Sequence, residues 1–447
     1  MKGSWNVTTY ENGKAETWTE EIQSVTDEGQ EREAVNLCPD FTYQTLEGFG
    51  GTLTEAAAYT WHQMGEKARM EFLEACYGTD GLGYTQARMA IDSCDACLGN
   101  YSAMDQEWDE ELKSFSIKRD EMYILPFLKA AEKVKGESLS VMLSPWSPPP
   151  FMKTNGEKNH GGKLLEKYYS LWADYLCRFV EEYQKNGVSV KRLSVQNEPD
   201  ATQIWDSCRY DPGEEKRFLK DFLYPAMKRR GLMEVELFIW DHNKERALER
   251  TLAVIDEETR SVVEGVAFHW YSGDHFEALD MIRERFPEKK LVFSEGCVEY
   301  SRFSSADQLS NARMYGHDIA GDLNHGACAF IDWNILLNSK GGPNHVNNFC
   351  DAPMMYDVET GRLEKKLSYT YISHFSRYLL PGSVRIGMSR YTDEIDVTAF
   401  KRPDNKLAAV LMNRTDRDMP VYLRLQGQMV KLSVPGSGIG TALLEIE

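Results

Sequence analysis

Hydrophobic and polar residues alternate at both ends of the 447-residue chain, without the 3.6-residue period of a helix. The pattern runs through residues 1–45. It returns near the carboxyl terminus, where strand-like runs at 395–400, 407–411 and 421–425 are separated by Asn, Asp, Gly and Pro turns. Because the termini of a domain often lie close together, residues 1–45 and 379–447 are predicted to form one β-sandwich.

Between these ends, apolar runs alternate with amphipathic helical stretches about eight times. The runs occupy residues 48–54, 84–91, 139–143, 192–196, 236–240, 266–270, 291–294 and 327–333. Helical stretches such as 165–184 and 212–230 fill the gaps. This alternation predicts an α/β fold in which parallel strands close into a (β/α)8 TIM barrel, over residues 46–378.

The net charge of −19 argues against a nucleic acid partner, because an acidic surface repels phosphates. No stretch approaches the roughly 20 apolar residues of a membrane span. The nine cysteines are odd in number and scattered, and the first residues lack the apolar core of a signal peptide, so we expect a cytoplasmic protein with reduced thiols. A signal peptide already removed would instead indicate secretion. The oligomeric state stays open.

Each predicted barrel strand ends near a residue that a plain hydrophobic core would not need. Barrel enzymes build their active sites at these carboxyl ends, from several strands at once. One such residue would carry little weight, but a set in register predicts an active site. The set comprises Glu55, Arg88, Trp146, Asn197 with Glu198, Asp241, His269 with Tyr271, Glu295 and Trp333.

Glu198 and Glu295 are the predicted catalytic pair. At about 31 residues per βα unit they fall on the fourth and seventh strands, which face each other across a small barrel mouth. Retaining glycosidases need two carboxyl groups about 5–5.5 Å apart, one to attack the anomeric carbon and one to protonate the leaving oxygen. A solvated loop carboxylate is the commoner role of a single glutamate. The pairing and the flanks favour catalysis, with Glu295 as nucleophile and Glu198 as acid/base.

The residues around Glu198 and Glu295 are expected to give the two carboxyl groups different protonation states. Asn197 can donate to a sugar hydroxyl, whereas Arg88 and Tyr271 can hydrogen-bond Glu295 and hold it ionised. A carboxylate across the cleft is expected to raise the pKa of Glu198 and keep it protonated as an acid.

Aromatic residues supply a candidate sugar platform. Trp146, Tyr271 and Trp333 close three strands, and sugar C–H faces pack on such rings, although each ring could equally be part of the core. His269 either orients a catalytic carboxylate or makes an ordinary core hydrogen bond, and Asp241 is a supporting residue.

The sequence gives little support to a metal-dependent or a nucleotide-binding function. Cys94 and Cys97 form a Cys-x-x-Cys pair without a second pair or a nearby histidine, which disfavours zinc. His269 is the sole strand-end histidine, too few ligands for a metal-dependent hydrolase. Residues 48–51 lack the G-x-G-x-x-G spacing of a nucleotide loop. No metal or other cofactor is expected.

Several segments together resemble glycoside hydrolase family 30, in order and over nearly the whole chain. They are EGFGG (47–51) with EAA (55–57), SPWSPP (144–149), QNEP (196–199), FHWY (268–271), FSE (293–295), DWN (332–334), GGPN (341–344) and DAP (351–353).

The resemblance implies a (β/α)8 barrel with a β-sandwich formed from both termini. It also implies a pocket for the terminal sugar, lined by Asp95, Trp146, Asn197, Trp333 and Asn344.

Two positions depart from the family pattern. Glu55 stands where Asp is usual, and His345 follows Asn344 where Trp is usual. Because of His345, the family pattern does not predict which residues contact the leaving group.

The leading functional hypothesis is a retaining, exo-acting β-glycosidase of the glucosylceramidase type. Its substrate would be a β-D-glucoside or β-glucan oligosaccharide, cut through a covalent glycosyl-enzyme. Alternatives within the family are an endo-β-1,6-glucanase or a β-xylosidase. An alternative of another class is a catalytically silent carbohydrate-binding barrel, but Glu198, Glu295, Asn197 and Arg88 are all intact, which argues against it.

Overall fold

The computed structural model describes residues 1–446. Four strands open the chain: β1 (Lys2–Glu11), β2 (Lys14–Gln23), β3 (Val25–Thr26) and β4 (Ala34–Thr45). β1 and β2 form a hairpin whose two turn residues, Asn12 and Gly13, both have a left-handed φ, at 50° and 77°. Two-residue hairpins of this kind need positive φ at both positions, which Asn-Gly adopts readily.

The next eight strands form a closed parallel barrel. They are β5 (Gly48–Thr52), β6 (Gln86–Ile91), β7 (Ser140–Pro145), β8 (Val190–Ser194), β9 (Glu236–Asn243), β10 (Val263–His269), β11 (Lys290–Glu295) and β12 (Ala327–Asn334). β6 and β12 are buried at every position, as parallel strands must be when helices cover the outside of the barrel. The eight apolar runs of the sequence are these eight strands.

Helices surround the barrel. Their bounds are α1 (Glu55–Gln63), α2 (Glu66–Tyr77), α3 (Lys118–Met122), α4 (Ile124–Lys135), α5 (Tyr169–Lys185), α6 (Pro212–Phe218), α7 (Tyr224–Arg230), α8 (Ala247–Val254), α9 (Phe276–Arg285), α10 (Gln308–Asn324) and α11 (Leu367–Ser376). No described helix combines the length and the apolar character that crossing a membrane requires.

The helix predicted at 212–230 is interrupted. A π-helical turn at Leu219–Leu223 separates α6 from α7. Pro225 explains the interruption, because it lacks the N–H that would bond to the carbonyl four residues earlier and its ring crowds that carbonyl.

A small sheet that the sequence pattern did not indicate follows the barrel: β13 (Leu336–Asn338), β14 (Met354–Asp357) and β15 (Arg362–Lys365).

The remaining strands complete the β-sandwich: β16 (Val384–Arg390), β17 (Ile395–Lys401), β18 (Lys406–Asn413), β19 (Met419–Leu425), β20 (Gln428–Val434) and β21 (Ile439–Glu445). With β1–β4 they form ten hydrogen-bonded strands around one apolar core. The first and last strands, β1 and β21, pair directly, so both termini build this unit. The predicted fold class, a TIM barrel with an attached β-sandwich, is confirmed. One pair in the sandwich, β4 with β19, is parallel.

Polar contacts join the sandwich to the barrel through α10. His317 Nδ1 lies 2.8 Å from Asp396 Oδ2 of β17, and Arg313 donates to the Thr415 carbonyl at 3.0 Å. The sandwich therefore lies against a helix that starts 13 residues beyond Glu295, at Gln308.

We expect Trp5→Ala to destabilise the sandwich by about 3–5 kcal/mol, because truncating a buried tryptophan leaves a cavity. The Trp5 side chain is 2% exposed and packs over Gly440 of β21. Urea unfolding followed by circular dichroism measures the loss. Trp18→Ala, at a position on β2 that is 38% exposed, is the control and should change stability by less than about 1 kcal/mol. Equal losses would mean that the amino-terminal strand is not part of the core.

Candidate active site

A cavity of about 120 Å³ opens at the carboxyl ends of the barrel strands. Seven residues singled out from the sequence line it: Asp95, Trp146, Asn197, Glu198, Tyr271, Glu295 and Trp333. Eight further residues complete the lining: Gln203, Trp205, His242, Asn243, Cys297, Glu299, Asn348 and Cys350. The residues singled out from the sequence therefore share one cavity, and loops supply most of its other lining.

The two glutamates meet inside this cavity. Glu295 is the last residue of β11, and Glu198 lies just beyond β8 with a left-handed φ of 46°. Such a φ is strained for a residue with a side chain, and strain of this kind concentrates at functional sites. One carboxylate oxygen of Glu198 and one of Glu295 lie within 4.8 Å of each other. This spacing suits direct attack by a carboxylate and leaves too little room for an intervening water.

Glu295 is held from two directions. Arg88 Nη1 donates to Glu295 Oε2 at 2.5 Å, and the Tyr271 hydroxyl donates to Oε1 at 2.9 Å. Burial raises the pKa of Glu295, and the positive charges of His269 and Arg88 oppose that rise. Both oxygens are therefore oriented by donors before any substrate arrives.

Arg88 is buried and organises more than one residue. Its Nη2 donates to Asn197 Oδ1 at 2.7 Å and to Asp241 Oδ2 at 2.9 Å, and its guanidinium carbon lies 4.6 Å from the centre of the Trp146 ring. One cation thereby contacts the Asn197 amide, the buried Asp241 carboxylate and the Trp146 ring.

Glu198 belongs to a hydrogen-bonded chain with His269 and Asp241. His269 Nδ1 lies 3.3 Å from Glu198 Oε1, and His269 Nε2 lies 3.1 Å from Asp241 Oδ1. Burial opposes the charged imidazole, but the surrounding carboxylates, led by Glu295, raise the pKa of His269 to about 9. His269 therefore contacts the carboxylate of Glu198, the predicted acid/base.

The expectation of a raised pKa for Glu198 is wrong for this state of the site. Burial is the largest single influence and raises it, but the hydrogen bond from His269, the charges of His242 and His269 and the hydrogen bond from Gln203 together outweigh burial, and the pKa of Glu198 falls to about 2. The proton expected on Glu198 is thus held by its neighbour, 3.3 Å away. Because the two groups interact directly, they give up that proton as a pair.

The residues predicted to form the sugar pocket include two stacked indoles and a carboxylate. The Trp146 and Trp333 ring centres lie 5.4 Å apart at an interplanar angle of 29°. Asp95 Oδ2 accepts from Asn344 at 3.0 Å and from Asn348 at 3.1 Å. Asn348 lines the cavity, whereas Asn344 lies behind Asp95 and orients it.

Other expected residues lie outside the cavity wall. Arg88 and His269 do not line the cavity but contact the Glu295 and Glu198 carboxylates, and Asp241 contacts Arg88 and His269 in turn. Glu55, expected at a strand end, begins α1, pairs with Arg119 and does not line the cavity.

His345 does not line the cavity either. Its Nε2 lies 3.2 Å from Asp206 Oδ2, a buried carboxylate that also accepts from Asn100 and Ser93. The departure from the family pattern at this position therefore changes a buried polar network.

Among the missed residues, only some had a detectable signal. His242 and Asn243 directly follow Asp241 at the end of β9, so the strand-end rule could have included them. Glu299 and Asn348 lie in loops without periodicity, where position along the chain says little about proximity.

Glu198, His269 and Glu295 are the one set in residues 1–446 whose donor atoms lie close enough together to hold a metal ion. Their existing contacts do not suit that role. Both nitrogens of His269 face carboxylates, and Arg88 and Tyr271 already occupy the two oxygens of Glu295. The arrangement fits proton transfer and nucleophilic attack better than metal binding.

Comparison with known proteins agrees with this geometry. Residues 46–379 match the model of the glycosyl hydrolase family 30 TIM-barrel domain, and residues 382–442 match the β-sandwich domain of the same family. The chain is 29% identical over 408 residues to the lysosomal acid glucosylceramidase of Mus musculus, covering 87% of this chain and 79% of the relative. It is 22% identical to the endo-1,6-beta-D-glucanase neg1 of Aspergillus fumigatus, covering 90% of this chain and 85% of the relative.

Solved structures give the same picture. SrfJ from Salmonella typhimurium superimposes with a TM-score of 0.96 at 37% identity, and the endo-beta1,6-glucanase BT3312 with a TM-score of 0.88 at 24% identity; each match covers 100% of both chains. The family models cover both the barrel and the sandwich. This chain is a glycoside hydrolase and belongs to glycoside hydrolase family 30.

Proposed function

We propose that the enzyme is a retaining, exo-acting β-glycosidase that removes terminal β-D-glucose by double displacement. The observation that carries the proposal is the pair Glu198 and Glu295, with carboxylate oxygens within 4.8 Å and different partners. Glu295 is held by donors as a nucleophile, while Glu198 is coupled to a proton on His269.

In the first step, an oxygen of Glu295 attacks the anomeric carbon as the bond to the leaving oxygen breaks. Arg88 and Tyr271 keep the carboxylate in place, so little reorientation is needed as the covalent bond forms. The proton for the leaving oxygen comes from the Glu198–His269 pair through Glu198, which faces the cavity.

Attack and protonation are coupled through charge. The negative charge of Glu295 is the leading influence that raises the pKa of His269. As Glu295 becomes an ester it loses that charge, so the Glu198–His269 pair becomes a stronger acid while the leaving group needs the proton. Afterwards Glu198 is ionised and His269 neutral, which suits Glu198 to take a proton from the attacking water in the second step.

The shape of the sugar pocket supports exo action. Trp146 and Trp333 wall a cavity of about 120 Å³, and Asp95, Asn197 and Asn348 line it with polar groups. A site that hydrogen-bonds several hydroxyls rejects sugars that lack them, because its own polar groups would go unpaired. Glucose is the proposed sugar, since the names of the curated relatives, glucosylceramidase and 1,6-beta-D-glucanase, both refer to it.

An endo-β-1,6-glucanase is the second candidate. The similarity to neg1 over 431 residues favours it. It would need a cleft that continues past both sides of the scissile bond, whereas Asp95 and the stacked indoles crowd one side.

Azide should distinguish the two glutamates. Glu295→Gly should lose roughly 10⁴-fold or more in kcat, and azide should restore turnover of an aryl β-glucoside with formation of the α-glycosyl azide, because azide replaces the missing nucleophile. Glu198→Ala should instead give the β-glycosyl azide, because azide attacks the glycosyl-enzyme without needing a base. Product NMR identifies the anomer. Glu364→Gly, an exposed carboxylate of β15, is the control and should need no azide. An α-azide from the Glu198 variant would reverse the assignment.

The proton on His269 can be observed by NMR of histidine-labelled protein. His269 should stay protonated through neutral pH and titrate near pH 9, whereas the lowered pKa of His242, which burial causes, keeps that ring neutral as an internal control. The alkaline limb of kcat/KM should fall in the same range, because above it the Glu198–His269 pair has lost its proton.

Trapping Glu295 with a 2-fluoroglucoside should lower the pKa of His269. An unchanged titration in the trapped enzyme would contradict the coupling.

Substrate preference and stereochemistry test the proposal as a whole. We expect kcat/KM to be highest for the aryl β-glucoside in a panel with the β-xyloside, β-fucoside and β-galactoside, and early NMR spectra to show β-glucose first. Mid-chain products from long β-1,6-glucan, without activity on short glucosides, would favour the endo-glucanase. α-Glucose as the first product would exclude retention.

A further inference from the structure

A large cavity lies where the β-sandwich meets the barrel. This cavity, named here the junction cavity, has a volume of about 760 Å³ and is lined by residues within 42–44, 280–289 and 324–326 and by Arg385. The last two barrel segments lead into the amino-terminal ends of β11 and β12, whereas the catalytic glutamates lie at the carboxyl ends of the strands. The junction cavity shares no lining residue with the catalytic cavity. It is therefore a separate site on the opposite face of the barrel.

Arg385 of β16 is buried in the wall of the junction cavity without a counter-charge. It is 6% exposed, its Nε donates to Gln44 Oε1 at 3.1 Å, and its guanidinium carbon lies 3.5 Å from the centre of the Tyr43 ring. Within residues 1–446, no carboxylate lies close enough to form an ion pair with it. Burial and the charge of Arg283 lower the pKa of Arg385 to about 10. Buried charges are normally paired, so the Nη groups of this arginine are available to an anion.

A second guanidinium reaches the junction cavity from the barrel. The guanidinium carbon of Arg283, on α9, lies 5.7 Å from the centre of the Tyr43 ring, and its Nη1 donates to Asp280 Oδ1 at 3.3 Å. Gly326 makes room for this side chain, because a Cβ at that position would lie 2.1 Å from Arg283 Cδ. The φ of Gly326, 107°, is also one that residues with a side chain rarely adopt. The local backbone therefore holds Arg283 beside the ring on which Arg385 stacks.

The junction cavity is positive, although the net charge of the chain is −19. Its lining includes three cations and two carboxylates, which are Arg283, Arg385, Lys289, Asp280 and Glu284. Asp280 is already engaged, because Arg283 donates to one of its oxygens and His325 Nδ1 lies 2.6 Å from the other. The guanidinium of Arg385 is therefore left without a protein anion to neutralise it.

We propose that the junction cavity binds a phosphoryl group, carried by inorganic phosphate or by a small phosphate monoester. The forked donors of Arg283 and Arg385 match the oxygens of a phosphate. A phosphate monoester carries about 1.5–2 negative charges at pH 7, which suits two guanidinium groups better than the single charge of a carboxylate.

The place of the two arginines gives the bound phosphate a structural consequence. Arg283 belongs to the barrel and Arg385 to the sandwich, so one phosphate joins the two units and removes the repulsion between the two cations. The cavity is larger than a phosphate needs, which leaves room for an organic group beside the exposed part of the Tyr43 ring. This inference does not depend on the proposed glycosidase specificity, because no residue of the junction cavity takes part in that mechanism.

Isothermal titration calorimetry tests the site with inorganic phosphate, glucose 6-phosphate, acetate and chloride, all at one ionic strength so that screening stays constant. The wild-type enzyme should bind phosphate saturably and bind acetate and chloride at least tenfold more weakly. For Arg385→Gln we expect the phosphate affinity to fall at least tenfold, as for loss of charge-assisted hydrogen bonds. Glucose 6-phosphate that binds more tightly than phosphate assigns the site to phosphate monoesters, and equal affinity assigns it to free phosphate.

Matched variants and a second readout sharpen the test. Arg283→Gln should also weaken phosphate binding, and because this side chain is 30% exposed it serves as the test if Arg385→Gln does not fold. Arg417→Gln removes a sandwich arginine whose side chain is 71% exposed, and it should bind phosphate like the wild type. Phosphate should raise the Tm of the wild type and of Arg417→Gln more than that of Arg385→Gln, because a ligand that binds only the folded chain stabilises it. Circular dichroism checks that each variant is folded.

Three outcomes overturn the inference. The first is the absence of saturable phosphate binding to the wild-type enzyme. The second is a phosphate affinity that is the same in the wild type, Arg385→Gln and Arg283→Gln, which would place the bound phosphate elsewhere on the protein. The third is acetate binding as tight as phosphate binding, which would mean that the cavity accepts anions in general.

Discussion

The active site depends on the hydrogen bonds and ion pairs that the buried guanidinium of Arg88 makes. It bonds to Glu295 on β11, to Asp241 on β9 and to Asn197 beyond β8, while Arg88 itself lies on β6. A buried cation without partners costs several kcal/mol, so four barrel strands must end in register for this charge to be tolerated. The contacts that satisfy the Arg88 charge therefore also build the site.

The charges around Arg88 nearly balance, and the one excess negative charge has a chemical role. With His269 protonated, two cations face three carboxylates, those of Asp241, Glu198 and Glu295, which leaves one negative charge. An oxocarbenium-like transition state carries positive charge, and a negative site in a dry cavity stabilises it. Changing the charge of one carboxylate alters how tightly the others hold the shared proton.

Chemistry and specificity come from different parts of the barrel. The carboxylates and their direct partners lie on strand ends, which a closed barrel holds rigidly. Most of the other residues that line the cavity, such as Gln203, Glu299 and Asn348, lie in loops. Loops on a rigid scaffold can vary without disturbing the reacting groups. The sandwich is joined to the loop after β10 through His317 of α10, which contacts both Asp396 and Asp274.

The sequence by itself determined the eight strands, the termini-built sandwich and the glutamates at the ends of two strands. Strand period and the position of active sites in barrels are local or general rules, which one chain is enough to apply. Only the tertiary structure decided that the proton lies on His269 instead of Glu198, that Asn348 and not Asn344 faces the cavity, and that Glu299 reaches it. Those outcomes depend on distances between loops and on the sum of several buried charges, and neither is encoded in the spacing of residues along the chain.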